Sequence, residues 1–216
     1  LVMRALERDG REAARRQSLE NAEVLIALAV PAIGGFIVAS DHLARVFAGP
    51  AFAPRAAELM PLIGVAVFLN GLRSHYFAQA LHLGRRTWAM LGSSIPAAGV
   101  NLVLNVLLLP RMGLIGAVWA TVVAYAVALV ISICQMTAVF PLPFPTREAA
   151  KTVGATVIMC LVLRALAFPV NAGGLVSLVL TGGAIYTALV LVADIGRLRS
   201  KALVVLSRQR LSSVVG

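Results

Sequence analysis

The chain has 216 residues, of which 60% are hydrophobic and 13% charged, with a mean hydropathy of +0.91. A water-soluble domain carries about 25% charged residues, so an ordinary cytosolic enzyme, a disordered chain and a disulfide scaffold are excluded, and a polytopic membrane protein is indicated. The net charge of +10 comes from 19 Lys and Arg against 9 Asp and Glu, and those bases sit between apolar runs, which assigns them to membrane orientation and not to nucleic-acid binding.

In chain order, residues 1–20 form a basic segment with Arg4, Arg8, Arg11, Arg15 and Arg16. The chain opens on Leu1 and a charged stretch, without Met or a signal-like pattern, which reads as a fragment lacking an upstream part. A bilayer core of about 30 Å needs roughly 20 mostly apolar residues per helix. Six stretches meet that standard: 22–40, 59–83, 89–109, 114–139, 152–169 and 174–193. Gly and Pro mark the breaks between them, at Gly49, Pro50 and Pro54, at Gly84, at Pro110 and Gly113, at Pro141, Pro143 and Pro145, and around Gly174. The expected fold is therefore all-α, a six-span transmembrane bundle over 21–193, followed by a basic tail over 194–216.

Basic residues of short loops stay on the cytoplasmic side. With the first segment inside, the inner segments hold fourteen Lys and Arg and the outer ones three, so both ends are expected in the cytoplasm. Two bases remain inside spans, Arg73 and Arg164. Arg164 stands near a span end, within snorkelling reach of the headgroups. Arg73 stands about ten residues into the second span, on the order of 15 Å deep at 1.5 Å per residue, where a charge is costly and faces a bundle interior or a watery cavity. The rivals are a structural hydrogen bond to a carbonyl and a snorkelling side chain.

At 100° per residue Asn70, Arg73 and Ser74 share one side of that helix with Tyr76 at its edge, while His75, Gln79 and His82 form a second polar side. In the third span Ser94, Ala98, Asn101 and Asn105 share a face, either an interhelical seam or a cavity wall. In the fourth, Gly116, Ala120, Ala124 and Ala128 repeat every four residues as a close-packing face. Pro31, followed by Gly34 and Gly35 in the first span, predicts a kink and a candidate hinge. Asp41 and His42 adjoin at the outer surface and read as a solvated loop. Cys134 and Cys160 fall in apolar runs, where they act as small hydrophobes. The sequence holds no phosphate-binding glycine loop, no metal-spaced Cys or His cluster and no catalytic triad pattern, so neither cofactor nor metal is expected. Every Asp and Glu lies outside the span interiors, so a coupling carboxylate would have to come from elsewhere in a longer chain.

Certain stretches resemble a known group. Leu43, Ala44, Arg45, Val46, Phe47, Ala48, Gly49, Pro50, Ala51 and Phe52 follow the first span. Ala80, Leu81, His82, Leu83, Gly84, Arg85, Arg86 and Thr87 follow the second. Asn101, Asn105, Pro110, Gly113, Gly116, Ala117, Ala120 and Thr121 come next. This succession is similar to the C-terminal part of polysaccharide flippases of the multidrug/oligosaccharidyl-lipid/polysaccharide exporter superfamily, which includes O-antigen and exopolysaccharide exporters and the lipid II flippase. The resemblance implies the final six of about fourteen spans, most of the C-terminal lobe of a two-lobed transporter in the bacterial inner membrane. It also implies a polyprenyl-diphosphate-linked oligosaccharide as substrate, alternating access, and the remainder of its own chain as partner beside the lipid bilayer. Asn70, Arg73, Tyr76, Gln79, Asn101 and Asn105 are then the candidate cavity lining, although Arg73 and Arg164 match none of the family's motifs. The alternatives are a multidrug or ion-coupled exporter of the same superfamily, an integral-membrane polysaccharide polymerase or acyltransferase, and a truncated gene product.

Overall fold

In a bilayer every backbone N–H and C=O has to be bonded within the protein, which for a chain of long apolar runs means helices. The computed structural model describes residues 2–49, 51–84, 86 and 88–194, so Arg85 and the basic tail from 195 onward, with Arg197, Arg199, Lys201, Arg208 and Arg210, lie outside the described residues. Among the described residues eight α-helices follow in order: α1 (Val2–Val38), α2 (Ser40–Leu43), α3 (Ala53–Leu72), α4 (Ala78–Leu83), α5 (Ala89–Met112), α6 (Leu114–Val139), α7 (Thr146–Ala165) and α8 (Ala172–Ala193). Two wider π-turns interrupt the series, Ala44–Ala48 after α2 and Arg73–Phe77 between α3 and α4.

The result is an all-helical transmembrane bundle. Among the described residues five helical segments are long and apolar enough to cross a membrane: Leu6–Val38, Ala53–Leu83, Ala89–Met112, Leu114–Val139 and Ala172–Ala193. The remaining expected span is α7, which has 20 residues but carries Arg147, Glu148 and Lys151 in its first turns and Arg164 near its end, and so falls short of the others in apolar content. It stops at Ala165, four residues before the expected Pro169, and an extended Leu166 leads into the turn before α8. Asn171 starts that last helix by accepting from the Gly174 N–H at 2.7 Å, satisfying one of the donors a helix start leaves free.

The basic segment is helical from Val2, and from Arg11 onward it runs without interruption into the first span. Its break comes at Gly10, where φ 84° and ψ −172° leave the helical region, a conformation glycine reaches without a Cβ clash. Beyond it Ala14 and Ser18 are wholly buried. This part of α1 packs in a core with Tyr76, Phe77, Met136, Phe140 and Leu142, and the Arg11 and Arg15 guanidinium groups stand 5.7 and 5.9 Å from the Phe140 ring.

At Pro31, where a kink was expected, α1 keeps helical dihedrals. Proline supplies no N–H for the carbonyl four residues back, and that carbonyl, Ala27, instead accepts the Tyr186 hydroxyl of α8 at 2.7 Å. Close helix approach does the rest on this side. A Cβ at Gly34 would stand 2.5 Å from Thr156 Cγ2, so α1 and α7 meet across a residue without a side chain. On the other side α5 and α6 form a hairpin turning at Gly113, with φ 61°. The face of Gly116, Ala120, Ala124 and Ala128 is buried, as its four-residue period requires of a packing surface. The bundle therefore has two halves, α1 with α7 and α8, and α3 with α5 and α6, joined where α1 meets α3.

Candidate functional site

Arg73 opens the π-turn Arg73–Phe77, in which the Ala78 N–H donates to the Arg73 carbonyl five residues back. Such turns hold one residue more than an α-turn and recur at functional sites. The Arg73 side chain is partly buried and reaches across to α5. Nη1 donates to Ser93 Oγ at 3.3 Å and Ser94 Oγ at 3.4 Å, while Nε and Nη2 both donate to Asn70 Oδ1 at 3.4 Å. Ser93 is free to accept because its own hydroxyl proton goes to the Met90 carbonyl at 3.0 Å. All four bonds end on neutral oxygens, and the three ion pairs among the described residues, Arg15–Glu12, Arg55–Glu58 and Lys151–Glu148, do not include Arg73.

This guanidinium stands at one side of a cavity of about 340 Å³ between the π-turn, α5 and α6, which Ser94, Asn101, Thr121 and Tyr125 also line, with Ala97, Ala98, Ala124 and Ala128 as its small floor. Asn101 Nδ2 donates to Thr121 Oγ1 at 3.4 Å, and Asn105 Nδ2 donates back to the Asn101 carbonyl at 2.9 Å and its Oδ1 at 3.1 Å. The Thr121 hydroxyl in turn donates to the Ala117 carbonyl at 3.0 Å. The face read as either seam or cavity wall is both: Asn101 bonds across to Thr121 of α6, and Ser94 and Asn101 line the space.

Of the six residues expected together, Arg73 and Asn101 line the cavity, Asn70 holds Arg73, and Asn105 holds Asn101. Tyr76 lies elsewhere. Its side chain is 1% exposed, its hydroxyl donates to the Pro143 carbonyl, and its ring meets Phe77 and Phe144 edge-on. The π-turn is the physical reason, since a 100° wheel no longer describes which residues share a side once a turn widens. Gln79 follows on α4, away from the cavity lining, with a buried Oε1 that has no protein partner. Pro31 lines a different cavity, of about 370 Å³, among α1, α7 and α8.

Thr121 and Tyr125 were missed as site residues. They continue from Ala117 at four-residue spacing, a face of α6 adjacent to the small-residue stripe, and that periodicity was the available signal. Asp41 and His42 sit on the short helix α2 and not on a solvated loop: Asp41 is exposed, whereas His42 is 7% exposed with neither ring nitrogen bonded within the protein. Arg164 is exposed near the end of α7.

No protein-family model and no curated protein sequence matches the chain. Among solved structures it is similar to the lipid II flippase MurJ in an inward closed conformation, with a TM-score of 0.76 over 89% of this chain. The chain has the fold of part of that flippase. Identity is 16%, and the chain spans 41% of the flippase's length. The likeness therefore establishes how these helices are arranged, a membrane bundle built like two-fifths of a MurJ molecule.

Proposed function

We propose that the chain is part of a polysaccharide flippase, which carries a polyprenyl-diphosphate-linked oligosaccharide across the bacterial inner membrane by alternating access and performs no covalent chemistry. In this reading it supplies most of the C-terminal lobe, α7 completes six spans, both ends face the cytoplasm, and the rest of a longer chain supplies the opposing lobe.

The observation that carries the reading is Arg73, a cation within a membrane bundle of flippase-like fold, bonded only to neutral oxygens beside a polar cavity. A charge so placed is costly unless it meets water or an anion. A diphosphate supplies the anion, and a guanidinium binds phosphate oxygens with two parallel N–H bonds. Asn101, Thr121 and Tyr125 offer the amide and hydroxyl groups that sugar hydroxyls exchange bonds with. The cavity's 340 Å³ accommodates a headgroup portion and leaves the polyprenyl chain in the bilayer. A multidrug exporter taking organic cations is disfavoured by the same charge, which repels them.

Replacing Arg73 by Ala in the full protein tests this, with flipping of a fluorescent polyprenyl-diphosphate sugar read in proteoliposomes. A charged hydrogen bond contributes about 1.5–3 kcal/mol, so the rate at limiting substrate is expected to fall roughly tenfold to hundredfold. Normal flipping at normal protein level overturns the reading.

A further inference from the structure

The π-turn that aims Arg73 also contains Tyr76, and the two side chains leave it in opposite senses. Arg73 reaches α5 and the polar cavity. Tyr76 enters the core on the far side, where its hydroxyl donates to the Pro143 carbonyl in the proline-rich loop between α6 and α7. That loop is itself fixed. Phe144 stacks parallel to Phe77 at 6.4 Å and meets Tyr76 edge-on at 5.8 Å, while Phe140 and Leu142 are buried against α1.

A π-turn is one residue out of register with the helix on either side, and passing that extra residue along the helix turns each side chain it crosses. The Arg73 side resists such a shift only weakly, because its bonds to Asn70, Ser93 and Ser94 are all 3.3–3.4 Å long. The restraint lies at Tyr76. Its hydroxyl is bonded to a backbone carbonyl in a loop that proline stiffens, and its ring is wedged between two phenylalanines.

We infer that Tyr76 is the positioning residue of the site: by clasping the 140–145 loop it locks the π-turn in the register that holds the Arg73 guanidinium at the cavity between α5 and α6. Releasing the clasp turns Arg73 away without altering any cavity residue. The loop and the buried part of α1 behind it thereby control the cation. The inference rests on Arg73 being the headgroup contact for its consequence, but its geometry is tested without any ligand.

The probe is a thiol introduced by Ser94→Cys in a Cys134→Ser, Cys160→Ser background, with iodoacetamide alkylation followed against pH. A neighbouring guanidinium favours the reactive thiolate. Arg73→Ala is expected to raise the pH midpoint and slow alkylation at pH 7.5 about tenfold, the effect of one pH unit on the thiolate fraction. Tyr76→Phe, which removes one oxygen, is expected to slow it at least threefold, and to add nothing in the Arg73→Ala background. Met136→Ala, which loosens the same core and leaves the hydroxyl and both flanking phenylalanines in place, should lower thermal stability and leave the pH profile unmoved. If Tyr76→Phe does not fold, Phe144→Leu releases the clasp from the loop side and is read in its stead.

A profile unmoved by Tyr76→Phe while Arg73→Ala moves it overturns the inference, as does a profile that Arg73→Ala leaves unmoved. Flipping by the Arg73→Ala protein bears only on the functional reading, so the two fail separately.

Discussion

The two halves of the bundle enclose cavities of nearly equal size and opposite lining. Between the π-turn, α5 and α6 the space of about 340 Å³ is bordered by Arg73, Ser94, Asn101, Thr121 and Tyr125. Among α1, α7 and α8 the space of about 370 Å³ is bordered by Pro31, Phe36, Met159, Leu163, Leu175, Leu178 and their like, with Tyr186 as its polar member. The polar groups of the second cavity are consumed: the Tyr186 hydroxyl is already spent on the Ala27 carbonyl. In the first, the Arg73 charge is bonded but not neutralised. The difference lies in what the side chains have left to offer a ligand, and volume has no part in it.

The sharpest way to break this contrast is to place a charge in the apolar half. At Gly183, which lines that cavity, an added Cβ meets nothing within 4 Å, so Gly183→Arg tests charge with little steric clash. A charge at the centre of a membrane helix costs roughly 2.5–3.5 kcal/mol, and thermal denaturation in detergent is expected to show a loss of that order. Gly183→Met, of comparable reach, should be tolerated. In the polar half the order inverts: Arg73→Met is expected to retain the fold and lose flipping. Equal tolerance of Arg and Met at 183 would show that the second cavity is hydrated, and the comparison would collapse.

A smaller effect separates the halves by how their helices meet. A Cβ at Gly116 would lie 2.6 Å from the Leu108 carbonyl oxygen, a backbone atom fixed by the α5–α6 hairpin. At Gly182 the nearest atom is Leu163 Cδ1 at 3.1 Å, the tip of a flexible side chain. Gly116→Ala is therefore expected to cost about 1–3 kcal/mol, the usual range for overpacking, and Gly182→Ala well under that. The same melting measurement checks both, and a reversed order would mean that α5 can slide on α6.

The same contrast explains what could be read from the sequence. Helix positions follow from apolar run length and from Gly and Pro at the breaks, so α5 and α6 lie where 89–109 and 114–139 place them. Arg73 stood out because a base at that depth has no topological use. Asn70 shared its side by helical spacing, which holds wherever the helix is regular, whereas its bond to Ser94 on another helix did not follow. Tyr76 did not follow, because the wheel fails in the π-turn at Arg73–Phe77, and nothing in those five residues announces the extra one. The docking of residues 11–18 on Phe140 was likewise hidden, since a basic stretch looks the same in sequence whether its alanines face water or a core.

The smallest expected effect concerns Pro31. A membrane proline usually invites a hinge because the carbonyl four residues back loses its donor, and here Tyr186 replaces that donor from another helix. Removing the hydroxyl by Tyr186→Phe should cost about 0.6–1.7 kcal/mol, the range for interhelical hydrogen bonds in membranes. Pro31→Ala returns an N–H to α1, so the Ala27 carbonyl no longer needs Tyr186. In that background Tyr186→Phe is expected to cost less than half as much. A double-mutant cycle on melting free energies reads the difference directly. Strict additivity would show that the hydroxyl and the proline are unconnected, and would restore Pro31 as a free hinge. Coupling means that α1 is held at Pro31 from α8, so that α1 and α8 move together while the register at Arg73 is set independently through Tyr76.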